Sequence, residues 1–170
     1  MSTVRAAQVG DADAMGALHV RAWQVGYADA MPADYLAGLQ ASERAAMWRR
    51  GIEAGTSQIL VATDDAGDVV GFACFGAERD ADPDQAEVGE LYALNIEPDA
   101  WGAGHGGALL AAATDWLATR WTEAVLWVLD TNERAQRLYA RAGWRDDGAR
   151  RSEEVLGAVV AEVRFRRSLR

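Results

Sequence analysis

A chain of 170 residues, 50% of them hydrophobic, can bury a core without disulfide or metal staples. Its formal net charge of −9 excludes a phosphate-tracking surface, so neither nucleic acid nor an anionic membrane is an expected partner. The single cysteine, Cys74, excludes an intrachain disulfide, and His19 and His105 show no metal-ligand spacing, so no metal is expected.

No apolar run approaches the ~18 residues of a membrane span, and Met1–Met15 lacks the basic start and apolar stretch of a leader. The expectation is a soluble, cytoplasmic protein made of one domain over residues 1–170. A first strand near Thr3–Gln8 leads to Asp11, a candidate N-cap for a helix over Ala12–Tyr27, whose buried stripe reads Met15, Leu18, Ala22 and Val25. After Met31-Pro32, the segments Ala33–Leu39 and Ser42–Ala54 read as helices covering one sheet edge. Gln58–Thr63 and Val69–Ala77 read as strands joined by the turn Asp64–Asp68.

An acidic loop, Glu78–Glu87, precedes a strand at Glu90–Ile96. A glycine-rich loop follows, then a helix over Ala108–Arg120 with Leu109, Ala113, Trp116 and Leu117 on one face. Ala124–Leu129 reads as a short strand. Asn132 is placed to cap a helix with the stripe Ala135, Leu138, Tyr139 and Ala142, stopped by Gly143 in the left-handed conformation. Strands at Trp144–Glu153 and Val159–Arg167 close the chain. Strand, loop, helix and strand make one right-handed parallel unit among antiparallel strands, so the class is α+β with a mixed sheet.

The loop places Gly102, Gly104, Gly106 and Gly107 within six positions at a helix start. Backbone amides there converge on an anion without Cβ interference, and the helix end adds partial positive charge. The spacing Gly102-x-Gly104-x-x-Gly107 also satisfies the dinucleotide fingerprint. Pro98 and a five-residue separation from the strand, a position past the chain midpoint, and too little remaining chain for a doubly wound sheet all count against that reading.

Three linked motifs resemble the GCN5-related N-acetyltransferase (GNAT) superfamily. They are the strand block Glu90-Leu91-Tyr92-Ala93-Leu94-Asn95-Ile96-Glu97-Pro98, the loop Trp101-Gly102-Ala103-Gly104-His105-Gly106, and the block running from Asn132-Glu133-Arg134-Ala135 through Leu138-Tyr139 to Ala142-Gly143-Trp144. Trp101 departs from the Gln or Arg that the family carries at the first loop position. The resemblance implies the GNAT fold: a mostly antiparallel mixed sheet with helices on both faces and a parallel strand pair that splays apart. It implies acetyl-coenzyme A as cofactor, its diphosphate on the amides of Trp101, Gly102, Ala103, Gly104, His105, Gly106 and Gly107. The pantetheine arm then pairs along Leu94, Asn95 and Ile96, with Asn132, Ala135 and Tyr139 nearby. It also implies direct transfer of acetyl to a primary amine of a small molecule or peptide in a ternary complex. Homodimers are common in the family, so a second copy is one implied partner.

An alkylammonium at neutral pH must lose a proton before attack, roughly 4 kcal/mol uphill. Glu90 matches the general base of histone-modifying members, although a strand glutamate is also suited to capping an amide or facing solvent. Tyr139 matches the tyrosine that protonates the departing thiolate. The aromatic faces of Trp23, Tyr27 and Tyr92 suit a cationic amine, and they suit core packing equally. His19 reads as a satisfied or surface histidine. The acids Glu78, Asp80, Asp82, Asp84 and Glu87 suit a polyamine or amino-sugar, and equally suit a merely solvated loop. A non-catalytic acyl-coenzyme A-binding module stays open beside the enzyme.

Overall fold

The computed structural model describes residues 2–80 and 87–170. In chain order the elements are β1 (Thr3–Ala6), α1 (Ala12–Gly26), α2 (Ala33–Ala37), α3 (Ala41–Ala54), β2 (Gln58–Thr63), β3 (Val69–Ala77), β4 (Gly89–Ile96), α4 (His105–Leu117), β5 (Glu123–Leu129), α5 (Glu133–Arg141), β6 (Arg145–Val155) and β7 (Ala158–Ser168). The strands form a seven-stranded mixed sheet in the order β1-β2-β3-β4-β5-β7-β6. Among the described residues the β4–β5 pair is parallel and the other pairs are antiparallel.

Two apolar clusters hold helices to opposite faces of this sheet. On one face Met15 and Leu18 of α1 and Trp48 of α3 pack with Ile59, Val61, Phe72 and Cys74. On the other, Leu109, Leu110, Ala113 and Leu117 of α4 and Tyr139 of α5 pack with Ala73, Phe75, Leu91 and Leu126. The expectation that the 42–54 helix covers a sheet edge is therefore corrected: α3 lies over a face, through α1. Gly16 permits this, since a Cβ there would sit 2.5 Å from the Ala41 carbonyl and the Ala45 amide.

Local signals explain most element ends. The Asp64 carboxylate accepts from the amides of Ala66 and Asp68, and Gly67 takes a φ of +90°, which closes the β2–β3 hairpin. Asn132 accepts from the Ala135 amide at 3.1 Å and caps α5, while Gly143 at φ +88° ends it. Asp11 behaves differently from expectation. Its carboxylate accepts from the Gln8 amide and the Arg5 guanidinium and so closes a 3₁₀ turn ahead of α1, rather than capping α1 amides.

Two further corrections concern helices. Val25 is 51% exposed, because the end of α1 borders an open cavity. Helix α4 starts at His105, three residues before the expected Ala108, so Gly106 and Gly107 belong to its first turn. Gly104 at φ +90° is the N-cap, and its carbonyl accepts the first helical bond from the Ala108 amide at 3.0 Å.

Candidate active site

The site begins with a register fault in β4. Ala93 pairs with Cys74 of β3 and Leu91 pairs with Phe75, which leaves Tyr92 as the extra residue of a β-bulge. Pairing of β4 with β5 ends at the neighbouring residue: Gly89, Glu90 and Leu91 face Ala124, Val125 and Leu126, and no pair follows. Beyond the bulge β4 stays on β3 as far as Ile96, while β5 stays on β7 as far as Leu129. The bulge bends one strand away from its parallel neighbour and opens a wedge between them.

A cavity of about 450 Å³ fills the wedge. Its lining brings together Trp23, Tyr27, Tyr92, Leu94, Asn95, Ile96, Trp101, Asn132, Ala135 and Tyr139, all expected as site residues. Gly102, Ala103, Gly104, His105, Gly106 and Gly107 do not line it but form its end. A Cβ on Gly106 would lie 3.6 Å from Ile96 Cγ1, so the first turn of α4 abuts the end of β4. The amides of His105, Gly106 and Gly107 are the first three of α4 and have no acceptor within the helix. Gly102 and Gly104 have φ of +81° and +90°, and a Cβ on Gly102, Gly104 or Gly107 would meet no atom within 4 Å. This end is a bare, amide-rich surface with the helix dipole behind it, and it fits a diphosphate. The His105 side chain is itself buried, and its Nδ1 has no partner among the described residues.

Trp101 replaces a phosphate-contacting side chain with an apolar platform. Its indole N–H donates to the Ile96 carbonyl at 3.0 Å, and the Arg134 guanidinium stands 3.1 Å from its ring centre. Burial lowers the pKa of Arg134 from its ordinary value. Arg134 lies inside the motif block of residues 132–135, yet sequence reasoning assigned it no role, because nothing local shows that it reaches back across the loop to Trp101.

Tyr139 is 7% exposed and lies edge-on to Phe165, with ring centres 6.2 Å apart. Burial, reinforced by nearby Tyr27, holds the phenol well above the ordinary tyrosine pKa, so it remains a proton donor at neutral pH.

Glu90 stands elsewhere. It is 1% exposed and lines neither this cavity nor the second one described below. One of its oxygens accepts from the Arg79 guanidinium and the other from the Arg79 amide, both at 2.8 Å. The start of the acidic loop thus folds back so that an amide and a guanidinium engage both oxygens of the carboxylate at position 90.

The aromatic residues are also partly engaged. Arg79 stands 4.2 Å from the Tyr92 ring centre, and the Tyr92 hydroxyl donates to the Ala77 carbonyl. Trp23 and Tyr27 stack on each other at 4.5 Å. Burial pushes both Tyr27 and Tyr92 up to about 12. Of the acidic loop, Glu78 and Asp80 approach Arg164 and Arg151 at 4.0 and 3.9 Å, while Asp82 and Asp84 lie outside the described residues. Among the described residues no group of acidic, histidine or cysteine side chains has a metal-binding arrangement, and no helix is long and apolar enough to cross a membrane.

The family model described as "Acetyltransferase (GNAT) family" matches residues 14–144. The chain belongs to that family. It is 33% identical over 164 residues to the uncharacterized N-acetyltransferase YuaI of Bacillus subtilis (strain 168), covering 96% of this chain and 91% of the relative. Its fold is similar to that of an N-acetyltransferase from Staphylococcus aureus Mu50, with a TM-score of 0.80 at 17% identity over 100% and 99% of the two chains. It is also similar to YncA from Salmonella typhimurium, solved with its cofactor acetyl-CoA, with a TM-score of 0.77 at 21% identity over 100% and 95%.

Proposed function

We propose that this member of the GNAT family transfers acetyl from acetyl-coenzyme A to a primary amine by direct attack in a ternary complex. The observation that carries the reading is the wedge itself: an edge of β4 left unpaired by β5 and a protonated tyrosine line one cavity, and an amide-rich helix end abuts β4 beside it. The His105, Gly106 and Gly107 amides are suited to the diphosphate, with Arg134 at its flank. The β4 backbone at Leu94 faces away from β3 and is open to a pantetheine arm, whereas Asn95 is bonded within the β3 ladder and the Ile96 carbonyl already accepts from Trp101.

Acetyl-coenzyme A supplies an activated thioester. The β4 amide of Leu94, which faces away from β3, is proposed to donate to the carbonyl oxygen as negative charge develops there. The Tyr139 hydroxyl is proposed to donate its proton to the departing sulfur. Cys74 gives no support to an acyl-enzyme route, since burial pushes its thiol up to about 11 and leaves little thiolate at neutral pH. We assign Glu90 a positioning role toward Arg79 rather than that of the base. The positive charge of Arg79 beside an apolar wall lowers the pKa of an arriving ammonium, so a water can remove its proton.

The test is release of free thiol from acetyl-coenzyme A with a panel of amines, alongside Gly104→Glu. Thiol release by the native chain, lost with coenzyme A binding in the variant, is the expected result. Retained coenzyme A binding in Gly104→Glu would remove the helix end from the reading. Coenzyme A binding by the native chain with no release for any amine would favour a non-catalytic acyl-coenzyme A-binding module.

A further inference from the structure

A second cavity, of about 460 Å³, lies on the α1/α3 side of the sheet. Trp23, Tyr92 and Ala93 line both cavities and form their common wall. Its volume falls in the ~300–1,000 Å³ range of small-molecule sites.

The chemistry of its wall is one-sided. His19 is 5% exposed, and its Nδ1 accepts from the Trp48 indole N–H at 2.9 Å. A nitrogen that accepts carries no proton, so in the neutral ring the proton sits on Nε2. The ring is neutral, because burial and the nearby Arg44 charge push it down to about 4. His19 Nε2 is thus a buried N–H donor, and it has no partner among the described residues. The Arg44 Nε–H is buried and unpartnered in the same way. Both residues line the cavity, together with Arg79, and no carboxylate does. Arg79 is already paired with Glu90, so the Arg44 guanidinium and the His19 N–H are what leave the wall with an excess of positive charge and of donors without acceptors. Met47, Trp48 and Ile59 supply an apolar floor beside them.

We propose that this cavity receives the acceptor, and that the acceptor is a small amino acid whose carboxylate is held by Arg44 and His19. The proposal rests on the transferase reading given above, and it names the substrate class of that reaction. A carboxylate supplies the acceptors that Arg44 Nε–H and His19 Nε2–H lack. An apolar side chain rests on Met47, Trp48 and Ile59. The amine is directed past Trp23 and Tyr92 toward the wedge where the thioester would lie. The same wall disfavours a polyamine, whose second ammonium would face the Arg44 guanidinium with no carboxylate beside it.

The experiment compares three matched compounds, L-methionine, its primary amide and 3-(methylthio)propylamine, using the full chain. Thiol release with acetyl-coenzyme A reads transfer, and calorimetry with coenzyme A present reads binding. The expected result is a kcat/KM for L-methionine at least about tenfold above the amide and the amine, with Arg44→Gln erasing that preference by losing rate on L-methionine alone. Unchanged coenzyme A affinity of Arg44→Gln verifies its fold. Equal rates for all three compounds overturn the carboxylate site and leave the transferase reading standing. L-methionine binding that Arg44→Gln abolishes, with no thiol release from these compounds or from any amine of the panel, upholds the site and overturns the transferase reading. Neither binding nor release with these three compounds overturns the carboxylate site and leaves the transferase reading to the amine panel.

Discussion

The Arg134 guanidinium stands 3.1 Å from the centre of the Trp101 ring, joining the start of α5 to the glycine loop across the mouth of the wedge. A cation over an indole gains about 0.5–2 kcal/mol, enough to hold a long side chain in one orientation. Arg134 is also partly desolvated, which strengthens any contact it makes to an anion. The platform thus supplies from α5 the cation that the first loop position lacks.

Arg134→Gln is therefore expected to weaken coenzyme A binding by about ten- to a hundredfold, the loss of one or two charge-assisted hydrogen bonds. Trp101→Ala should reproduce much of that loss, and the double variant should fall well short of the sum because both act on one contact. Calorimetric titration with coenzyme A checks this. Additive effects of the two substitutions would separate Trp101 from Arg134.

Tyr139→Phe should lower kcat by about a hundredfold while coenzyme A affinity stays within about a factor of two. The sign of the pH effect is definite. Burial raises the phenol pKa, so the acid form persists through the alkaline range, and native activity should show no fall between pH 8 and about 10 that Tyr139→Phe removes. Such a fall would mean that the phenol ionises normally and is not sealed in the cavity wall.

Much of the fold was legible because its causes are local. The Asp64 turn, the Asn132 cap and the Gly143 stop each act within a few residues, and the strands at 58–63 and 69–77 ended where expected. What escaped depends on partners distant in sequence. The Tyr92 bulge is a mismatch of register against β3, and β4 read alone is simply a continuous apolar strand. Arg79 as the partner of Glu90 escaped because the two are eleven residues apart and meet only once β3 and β4 pair. Val25 fitted the α1 stripe by periodicity, yet it borders the open cavity rather than packed side chains. Gly106 and Gly107 read as loop because glycine disfavours helix. In a first turn, however, the amides lack helical acceptors in any case, and bare backbone there is useful.

The Glu90–Arg79 pair separates two roles by the shape of a pH profile. Glu90→Gln keeps an oxygen for the Arg79 amide but removes the charge that holds the guanidinium over Tyr92. Because Arg79 is half-exposed, the expected stability cost is about 1–2 kcal/mol, less than for a fully buried pair. kcat/KM measured from pH 6 to 9 should drop in level and keep its shape. Loss of the acidic limb in the variant would return the base role to Glu90.

His19 gives a stability prediction whose sign follows from linkage. Its folded-state pKa is lowered from 6.5 to about 4, so between those values the unfolded chain binds the extra proton and stability rises with pH. The contribution is complete above pH 6.5 and is lost as pH falls through the folded value. At pH 4.5 about 2–3 kcal/mol of it should be gone. His19→Gln retains an oxygen to accept from Trp48 and removes the titration. Urea unfolding at pH 7 and 4.5 should therefore show the native chain losing about 2–3 kcal/mol more than the variant. The comparison isolates His19, since the Arg5–Asp11 pair and other acid-sensitive contacts are common to both chains. Equal losses would mean that His19 gains a proton without unfolding, and that its Nε2–H already has an acceptor in solution.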